Sequence, residues 1–280
     1  MPFQSTTQPR FTVQQCEDLF EAVLINDVID PDTHLPEKIH LDYTQAQLLE
    51  CYYICQQVWE MGVNRREFSQ LVKKVYRQRD LNTEDRLIYK HVRAKFKQLR
   101  FAFANFDEGH KYPKAFHGIT SLMGFLQDSF KGGQRGAVAR SAILLRIFLT
   151  KIPFSFVERE LKQFRPASVE SFQTYVYKGI DFIRSKLTKT EITARDFHSI
   201  RKIVSRQASF YVALVILYPS QYHNDVFRHL SAINGMMGRM HDDLVEKEHS
   251  GAQDYHADTF PIPEEIKQLL SAVVNSYARS

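Results

Sequence analysis

The sequence predicts an all-α protein made of two related antiparallel helical bundles that arise from an internal duplication. Glycine and proline are scarce, with 11 and 10 in 280 residues, and most prolines lie between periodic segments, as is typical of long helices joined by short loops. Apolar residues recur at intervals of three and four, the spacing of one helix face. In addition, a basic helix followed by a helix with a Gly-x-x-x-Asp step occurs at two places about a hundred residues apart.

Caps and breakers set the bounds of the predicted helices. Gly62 is a stop signal, and Asn64 and Glu67 have the spacing of a capping box at the start of the next helix. The glycine pair at 132–133 breaks the chain, and Pro153 separates two later helices. No segment shows the alternation of a strand. Helices are expected at about residues 12–25, 43–61, 64–79, 84–106, 114–130, 135–151, 154–163, 168–187, 191–217, 222–248 and from 263 onward.

The domain organisation follows from the duplication. Residues 83–189 are predicted to form the first helical half and residues 190–280 the second, because each range contains one copy of the paired-helix pattern. Residues 1–82 precede the first copy and are predicted to pack on the core as an N-terminal helical segment. A chain of 280 residues is long enough to give each half its own hydrophobic core.

The composition is that of an ordinary globular protein, with 44% hydrophobic residues, 25% charged residues and a formal net charge of +5. This mild positive charge is compatible with an anionic partner but does not require one. The three cysteines, Cys16, Cys51 and Cys55, are an odd number without a disulfide pattern, so we expect buried apolar roles in a reducing, cytoplasmic compartment. No signal peptide or bilayer-spanning run is evident, and no membrane partner is expected.

The predicted helix at 84–106 separates apolar and basic residues onto different sides. Its apolar stripe consists of Ile88, Val92, Phe96, Leu99, Phe103 and Phe106. The helix at 114–130 is likewise expected to bury Phe116, Ile119, Leu122, Phe125 and Leu126. The basic stripe of the first helix consists of Lys90, Arg93, Lys97 and Arg100, and the second copy of the pattern carries His198, Arg201, Lys202 and Arg206.

These basic stripes predict the binding of a polyanion. The first stripe has no interleaved acidic residue, whereas surface helices usually mix charges to form pairs at i,i+4. Uncompensated cations repel one another, which favours an anion between them. Arginine can bind phosphate oxygens in a bidentate manner and lysine supplies a point charge, a combination that suits a flexible phosphate chain. There is no Gly-rich phosphate loop of the P-loop type, which argues against a nucleotidase of that class.

The same residues resemble the CHAD domain family. The first copy reads Lys90-x-x-Arg93-x-x-x-Lys97-Gln98-x-Arg100 and then Leu122-Met123-Gly124-x-x-x-Asp128. The second copy reads His198-x-x-Arg201, then Arg206, and finally Met237-Gly238-x-x-x-Asp242. The chain would be a degenerate member, because Lys90 stands where the family has histidine, and Ser205 and Ala208 replace basic residues. The resemblance implies two helical bundles that flank a basic cavity for inorganic polyphosphate, with the eight basic residues lining it.

The sequence therefore predicts non-enzymatic binding of a phosphate-rich polyanion, in the first place inorganic polyphosphate, through two facing basic helices. RNA is an alternative ligand, and a protein partner is a further alternative if the helices serve as an adaptor. Ahead of the adaptor, the runner-up function is that of a Mg²⁺-dependent all-α enzyme that holds a diphosphate through Asp242, Asp243 and Glu246, spaced as in a D-D-x-x-[DE] motif. The preferred function needs no catalytic residue, metal or cofactor.

Overall fold

The computed structural model describes residues 11–30, 32–249, 254 and 257–277, and within them the protein is all-α with one minor two-stranded sheet. The first seven helices are α1 (Val13–Leu24), α2 (Gln45–Gly62), α3 (Arg65–Gln78), α4 (Thr83–Phe106), α5 (Lys114–Lys131), α6 (Arg135–Phe148) and α7 (Lys151–Leu161). They are followed by α8 (Val169–Leu187), β1 (Ile192–Thr193), α9 (Ala194–Leu217), α10 (Gln221–His249), β2 (Thr259–Phe260) and α11 (Glu264–Ser276). The predicted all-α class is confirmed.

The chain divides into two compact units, and neither unit is one continuous stretch. Unit 1 comprises Met1–Phe20 and Tyr52–Ala167, and unit 2 comprises Glu21–Cys51 and Ser168–Ser280. The division therefore falls inside α1 and α2, and the predicted N-terminal segment 1–82 is shared between the units. Helix α8, which the sequence analysis groups with the first half, lies in unit 2, where it packs against α9 and α11.

The core of unit 1 is built around α4, whose apolar stripe differs from the prediction at one position. Ile88 is 46% exposed, whereas Tyr89 is fully buried and its hydroxyl donates to the carbonyl of Met123 at 2.9 Å. One position along a helix turns a side chain by about 100°, and it is the Tyr89 ring that lies against Phe68 and Phe130. The prediction for Ile88 is wrong. The other predicted stripe residues are buried, namely Val92, Phe96, Leu99, Phe103 and Phe106.

Helix α5 also buries a different set of residues from the one predicted. It packs against α4, α6 and α7. Its buried apolar residues follow one another at intervals of three and four: Phe116, Ile119, Met123, Leu126 and Phe130. Phe125 lies outside this row and is 56% exposed, and Leu122 is half-buried, so the prediction of a core role for Phe125 is wrong.

The boundary between α6 and α7 falls earlier than predicted. Helix α6 ends at Phe148, and α7 begins at Lys151, which places Pro153 inside the first turn of α7 rather than in a break before it. Proline is tolerated there because the first N–H groups of a helix have no acceptor within the helix. The hydroxyl of Thr150, at the connection, donates to the carbonyl of Ile147 at 2.7 Å.

Unit 2 is organised around α9, which is buried along most of its length. The rings of Phe172 on α8 and Phe210 on α9 lie 5.1 Å apart. Strand β1 pairs with β2 in antiparallel fashion, with Ile192 opposite Phe260, so α9 begins after the strand instead of near residue 191. The prediction of no strand is wrong here, because a two-residue strand is too short to show alternation. Within the part of the chain described, no helix has the length and apolar character needed to cross a bilayer.

All three cysteines are buried and none forms a disulfide, as predicted. Burial raises the pKa of the Cys55 thiol to about 12, and the side-chain amide of Gln98 lies 3.4 Å from its sulfur. The thiolate, which is the reactive form of cysteine, is therefore disfavoured at neutral pH. Cys55 serves as a small apolar residue of the core.

His229 is a buried histidine of unit 2. Its ring is buried, with Nε2 3.2 Å from the carbonyl of Leu269 and Nδ1 3.1 Å from the hydroxyl of Thr33. A carbonyl only accepts, so the neutral ring carries its proton on Nε2. Burial lowers the pKa of His229, although the bond to Leu269 opposes this shift.

We expect the free energy of unfolding to fall as the pH drops below about 6.5, the ordinary pKa of histidine. In that range the unfolded chain binds the proton before the folded chain does, so stability present at higher pH is lost. Urea titrations between pH 7 and pH 5 should give a steeper pH dependence for the unchanged protein than for His229→Gln. Parallel pH profiles for the two proteins would contradict this assignment.

Candidate anion-binding site

The basic face of α4, formed by Lys90, Arg93, Lys97 and Arg100, lies within unit 1 as the spacing predicts. Lys90 is exposed and the other three side chains are half-buried. In the described ranges, no carboxylate lies within 4 Å of Lys90, Arg93 or Arg100. The sequence shows no acidic residue interleaved with these cations along the helix. The structure adds that no carboxylate from another described element pairs with Lys90, Arg93 or Arg100.

Arg93 lies over Gly124 of α5. A Cβ atom built on Gly124 would be 3.0 Å from Nη2 of Arg93, 3.4 Å from its Nε and 3.6 Å from its Cζ. Three guanidinium atoms at such similar distances indicate that the group lies along the surface of α5. Because glycine has no side chain, the Arg93 guanidinium can approach the helix closely. This contact joins the two elements of the first sequence copy.

Arg100 is the most enclosed cation of the basic face. Its Cζ lies 5.2 Å from the ring centre of Phe101 and 5.1 Å from that of Tyr112, which are cation–π distances. Burial lowers the pKa of Arg100, and the nearby charge of Arg93 lowers it further. Arginine nevertheless stays charged at neutral pH. Its Nε is buried and has no hydrogen-bond partner among the described residues.

Helix α5 adds polar groups beside the basic face. Nη1 of Arg100 lies 3.3 Å from Nδ1 of His117, and the Ser121 hydroxyl lies 3.4 Å from the same nitrogen. A guanidinium only donates, so this contact favours the neutral His117 tautomer with its proton on Nε2. The ring of His117 stacks on Tyr112 with the centres 4.9 Å apart. The Tyr112 hydroxyl is a second buried polar group without a hydrogen bond in the described part of the chain.

Sequence reasoning did not include His117, Ser121 and Gly124 in the site. Their spacing of four and three places them on one face of α5. A signal was therefore present, because two polar residues and a glycine share this face in the helix that follows the basic one. Tyr112 gives no such signal, since it lies in the loop between α4 and α5.

The second basic set lies on α9 in unit 2 and is divided between two neighbouring helices. Arg201 approaches Gly238 of α10, where a Cβ would be 3.5 Å from its Nη2. Arg206 instead lies over the ring of Tyr175 on α8, 5.2 Å from its centre. Five residues along a helix correspond to a rotation of about 140°. Arg201 and Arg206 therefore point in different directions, and both His198 and Lys202 are exposed.

The crossing of α9 and α10 is filled by the protein's own chain. The hydroxyl of Ser205 donates to Oδ1 of Asn234 at 2.7 Å, and the amide of Asn234 donates to the carbonyl of Asn26 at 2.9 Å. A Cβ on Gly235 would lie only 2.2 Å from the carbonyl oxygen of Asp27. In the aligned copies Ser205 stands where unit 1 has Lys97. At this position unit 2 thus has a neutral hydroxyl where unit 1 has a cation.

The acidic motif of the enzyme alternative lies on α10. The Asp242 side chain is 86% exposed, and Asp243 and Glu246 are also exposed. The nearest polar contact of Asp242 is with Nδ1 of His241 at 3.5 Å. Within the described residues no group of three or more histidine, cysteine, aspartate or glutamate side chains has a geometry that could hold a metal ion. No feature of these contacts favours the diphosphate chemistry.

The contacts of Arg93 with Gly124 and of Arg201 with Gly238 are alike, because in each sequence copy the arginine lies over the glycine of the following helix. This likeness is consistent with a duplication, which stays a prediction, as does the resemblance to the CHAD domains. Comparisons of this chain with protein-family models, with curated proteins and with solved structures find no match.

Proposed function

We propose that unit 1 binds a phosphate-rich polyanion, in the first place inorganic polyphosphate, along the basic face of α4 without turning it over. The observation that carries this proposal is that, among the described residues, no carboxylate lies within 4 Å of Lys90, Arg93 or Arg100. Cations without acidic partners repel one another, which favours an anion beside them. The oxygens of a polyanion would accept charge-assisted hydrogen bonds from these side chains.

The length of the basic face favours a chain of phosphates over a single phosphate ion. Lys90 and Arg100 are ten residues apart, which corresponds to about 15 Å along a helix. A single phosphate ion is small compared with a face of this length and would leave some of the cations without an anion. A linear polyanion can lie along the helix and reach the ammonium groups as well as the guanidinium groups of Arg93 and Arg100.

The aromatic residues near the basic face favour polyphosphate over single-stranded RNA as the proposed ligand. Proteins that bind single strands usually stack bases on exposed aromatic rings. The ring of Tyr112 already contacts Arg100 and His117, and Phe101 is buried. Phe125 is the exposed ring on α5, one position after Gly124. RNA binding would therefore depend on Phe125, whereas polyphosphate binding would not.

The test is a titration of the full chain with polyphosphate and with single-stranded RNA at equal phosphate concentration. A site with four cations should give log affinity against log salt a slope of about −3, from about 0.7 per contact for single strands. Arg93→Glu should weaken polyphosphate binding by about tenfold to a hundredfold, because it removes a charge-assisted hydrogen bond. Arg100→Gln should act in the same direction, and Phe125→Ser should leave polyphosphate binding unchanged.

The matched control is Arg77→Glu, which changes the net charge equally at an exposed position on α3 of the same unit. If Arg77→Glu and Arg93→Glu weakened polyphosphate binding equally, binding would depend on the net charge of the protein, and a defined site would be contradicted. Dependence of binding on Phe125 would assign the face to RNA. Arg201→Glu tests the second basic set. If it weakened polyphosphate binding as much as Arg93→Glu does, α9 would also contact the polyphosphate.

A further inference from the structure

A second surface of unit 1 exposes large apolar side chains that its fold does not use. Six of them form what we call the apolar corner, at the end of α6 and the start of α7. Their exposed fractions are 41% for Ile143, 49% for Leu144, 53% for Ile147, 39% for Phe148, 73% for Ile152 and 52% for Phe156. Only two residues, 149 and 150, connect the helices, so the six side chains lie close together in the chain.

These exposed residues are additional to the apolar sides that hold the two helices in place. Helix α6 packs on α3 and α5 through a separate row that includes Val138, Ala142 and Leu145. Helix α7 buries Phe154 and Val157 in the same way. Both helices are therefore apolar on two sides, and the outer side is left exposed to solvent. A large exposed apolar patch marks a surface that contacts a partner or a membrane.

The chain segment that contains the apolar corner is rich in basic residues. Between Lys131 and Arg165 the chain carries eight lysines and arginines but only two glutamates. One of these, Glu160, accepts hydrogen bonds from backbone N–H groups of α5 at 2.8 to 3.1 Å. The Arg159 guanidinium lies 5.7 Å from the ring centre of Phe156, so a cation borders the apolar side chains directly.

We propose that the apolar corner inserts into the headgroup region of an anionic lipid bilayer. Apolar side chains flanked by lysine and arginine are the composition of helices that lie in a membrane interface. Negatively charged lipids attract the basic rim, while Ile152, the most exposed of the six side chains, enters the acyl boundary. A second copy of the chain is a poorer partner, because a symmetric contact would bring two basic rims together.

This mode of binding needs no membrane-spanning helix. The absence of an apolar run long enough to cross a bilayer led us to expect no membrane partner, but a helix that lies on the surface requires only one apolar face. The proposal is independent of polyphosphate binding, since the basic face of α4 shares no residue with the apolar corner.

The test is flotation of the full chain with vesicles of phosphatidylcholine, alone or mixed with phosphatidylserine. We expect binding to the mixed vesicles, weakened by salt, and little binding to phosphatidylcholine alone. Ile147→Ser and Ile152→Ser should each reduce the bound fraction about tenfold, and Lys151→Glu about fivefold or more. Leu87→Ser is the matched control, because Leu87 on α4 has the same exposed fraction as Ile147, 53%, and lies outside the corner.

Polyphosphate titration of Ile152→Ser separates the two proposals, because its polyphosphate affinity should equal that of the unchanged chain. Absence of binding to the mixed vesicles, or equal losses for Ile147→Ser and Leu87→Ser, would overturn the membrane proposal. A concentration-dependent dimer that Ile152→Ser abolishes would assign the corner to self-association instead. Binding of an acidic amphipathic peptide without vesicle binding would assign it to a protein partner.

Discussion

Phe96→Ala is expected to reduce the free energy of unfolding by about 3 to 5 kcal/mol, the range for removing a buried phenylalanine side chain. Phe96 is fully buried at the centre of unit 1. Its ring stacks on Phe116 with the centres 5.0 Å apart and meets Trp59 edge-on at 5.6 Å. Because three aromatic rings share this contact, the remaining two cannot close the cavity without losing their own packing.

Urea unfolding followed by the fluorescence of Trp59, which is the single tryptophan of the chain, would measure the loss. The control is Phe125→Ala, the same chemical change at a side chain that is 56% exposed. It should cost less than about 0.5 kcal/mol, as surface substitutions usually do. Similar losses for the two variants would show that α4 does not form the centre of the core of unit 1.

Gly235→Ala is expected to destabilise unit 2 by about 2 to 3 kcal/mol, near the upper end of the usual cost of overpacking. The added Cβ would lie 2.2 Å from the carbonyl oxygen of Asp27 and 2.8 Å from Cγ1 of Ile29. A flexible side chain could turn away, but the first of these contacts is with backbone. The loop at residues 26–29 would have to move, and the hydrogen bond from Asn234 to Asn26 would weaken with it.

Gly118→Ala provides the matched comparison for Gly235→Ala. Both glycines lie inside helices, yet a Cβ on Gly118 would meet no atom within 4 Å. Alanine should therefore stabilise α5 by up to about 1 kcal/mol through its higher helix propensity. Thermal unfolding of the two variants should show shifts of opposite sign. A stabilising effect of Gly235→Ala would mean that the loop does not cover α10.

The helices and the basic face of α4 were predictable from sequence because both depend on spacing along one helix. The enclosure of Arg100 was not, because Tyr112 reaches it from a loop whose path no local pattern determines. The exposure of Phe125 and of the apolar corner was also missed. A helix with apolar residues on two sides gives no local indication of which side faces the core, since only the packing of α3, α5 and α6 decides it.

An alignment of the two sequence copies predicts which helices correspond but not which of their residues have the same role. The positions of Arg93 and Arg201 correspond in the aligned copies, and both lie over a glycine. The residues that follow them have different roles, because Ser205 hydrogen-bonds to Asn234 whereas Lys97 belongs to a basic face. The loop that covers Gly235 comes from near residue 27, far from either copy in sequence. Pattern matching therefore identifies the helices but not whether the crossing between them is open to a ligand.

The division of both units across α1 and α2 has a consequence for synthesis on the ribosome. Residues 21–51 belong to unit 2, but the rest of that unit begins only at Ser168. At about 5 to 20 residues per second, the intervening residues take on the order of ten seconds to appear. During that time Ile39, Leu41 and Tyr43, which are buried in the finished protein, have no partners from α8 to α11 to pack against. Unit 1 can complete its core as soon as Ala167 has emerged. Residues 52–167 should therefore be folded before residues 21–51 pack against the helices of unit 2.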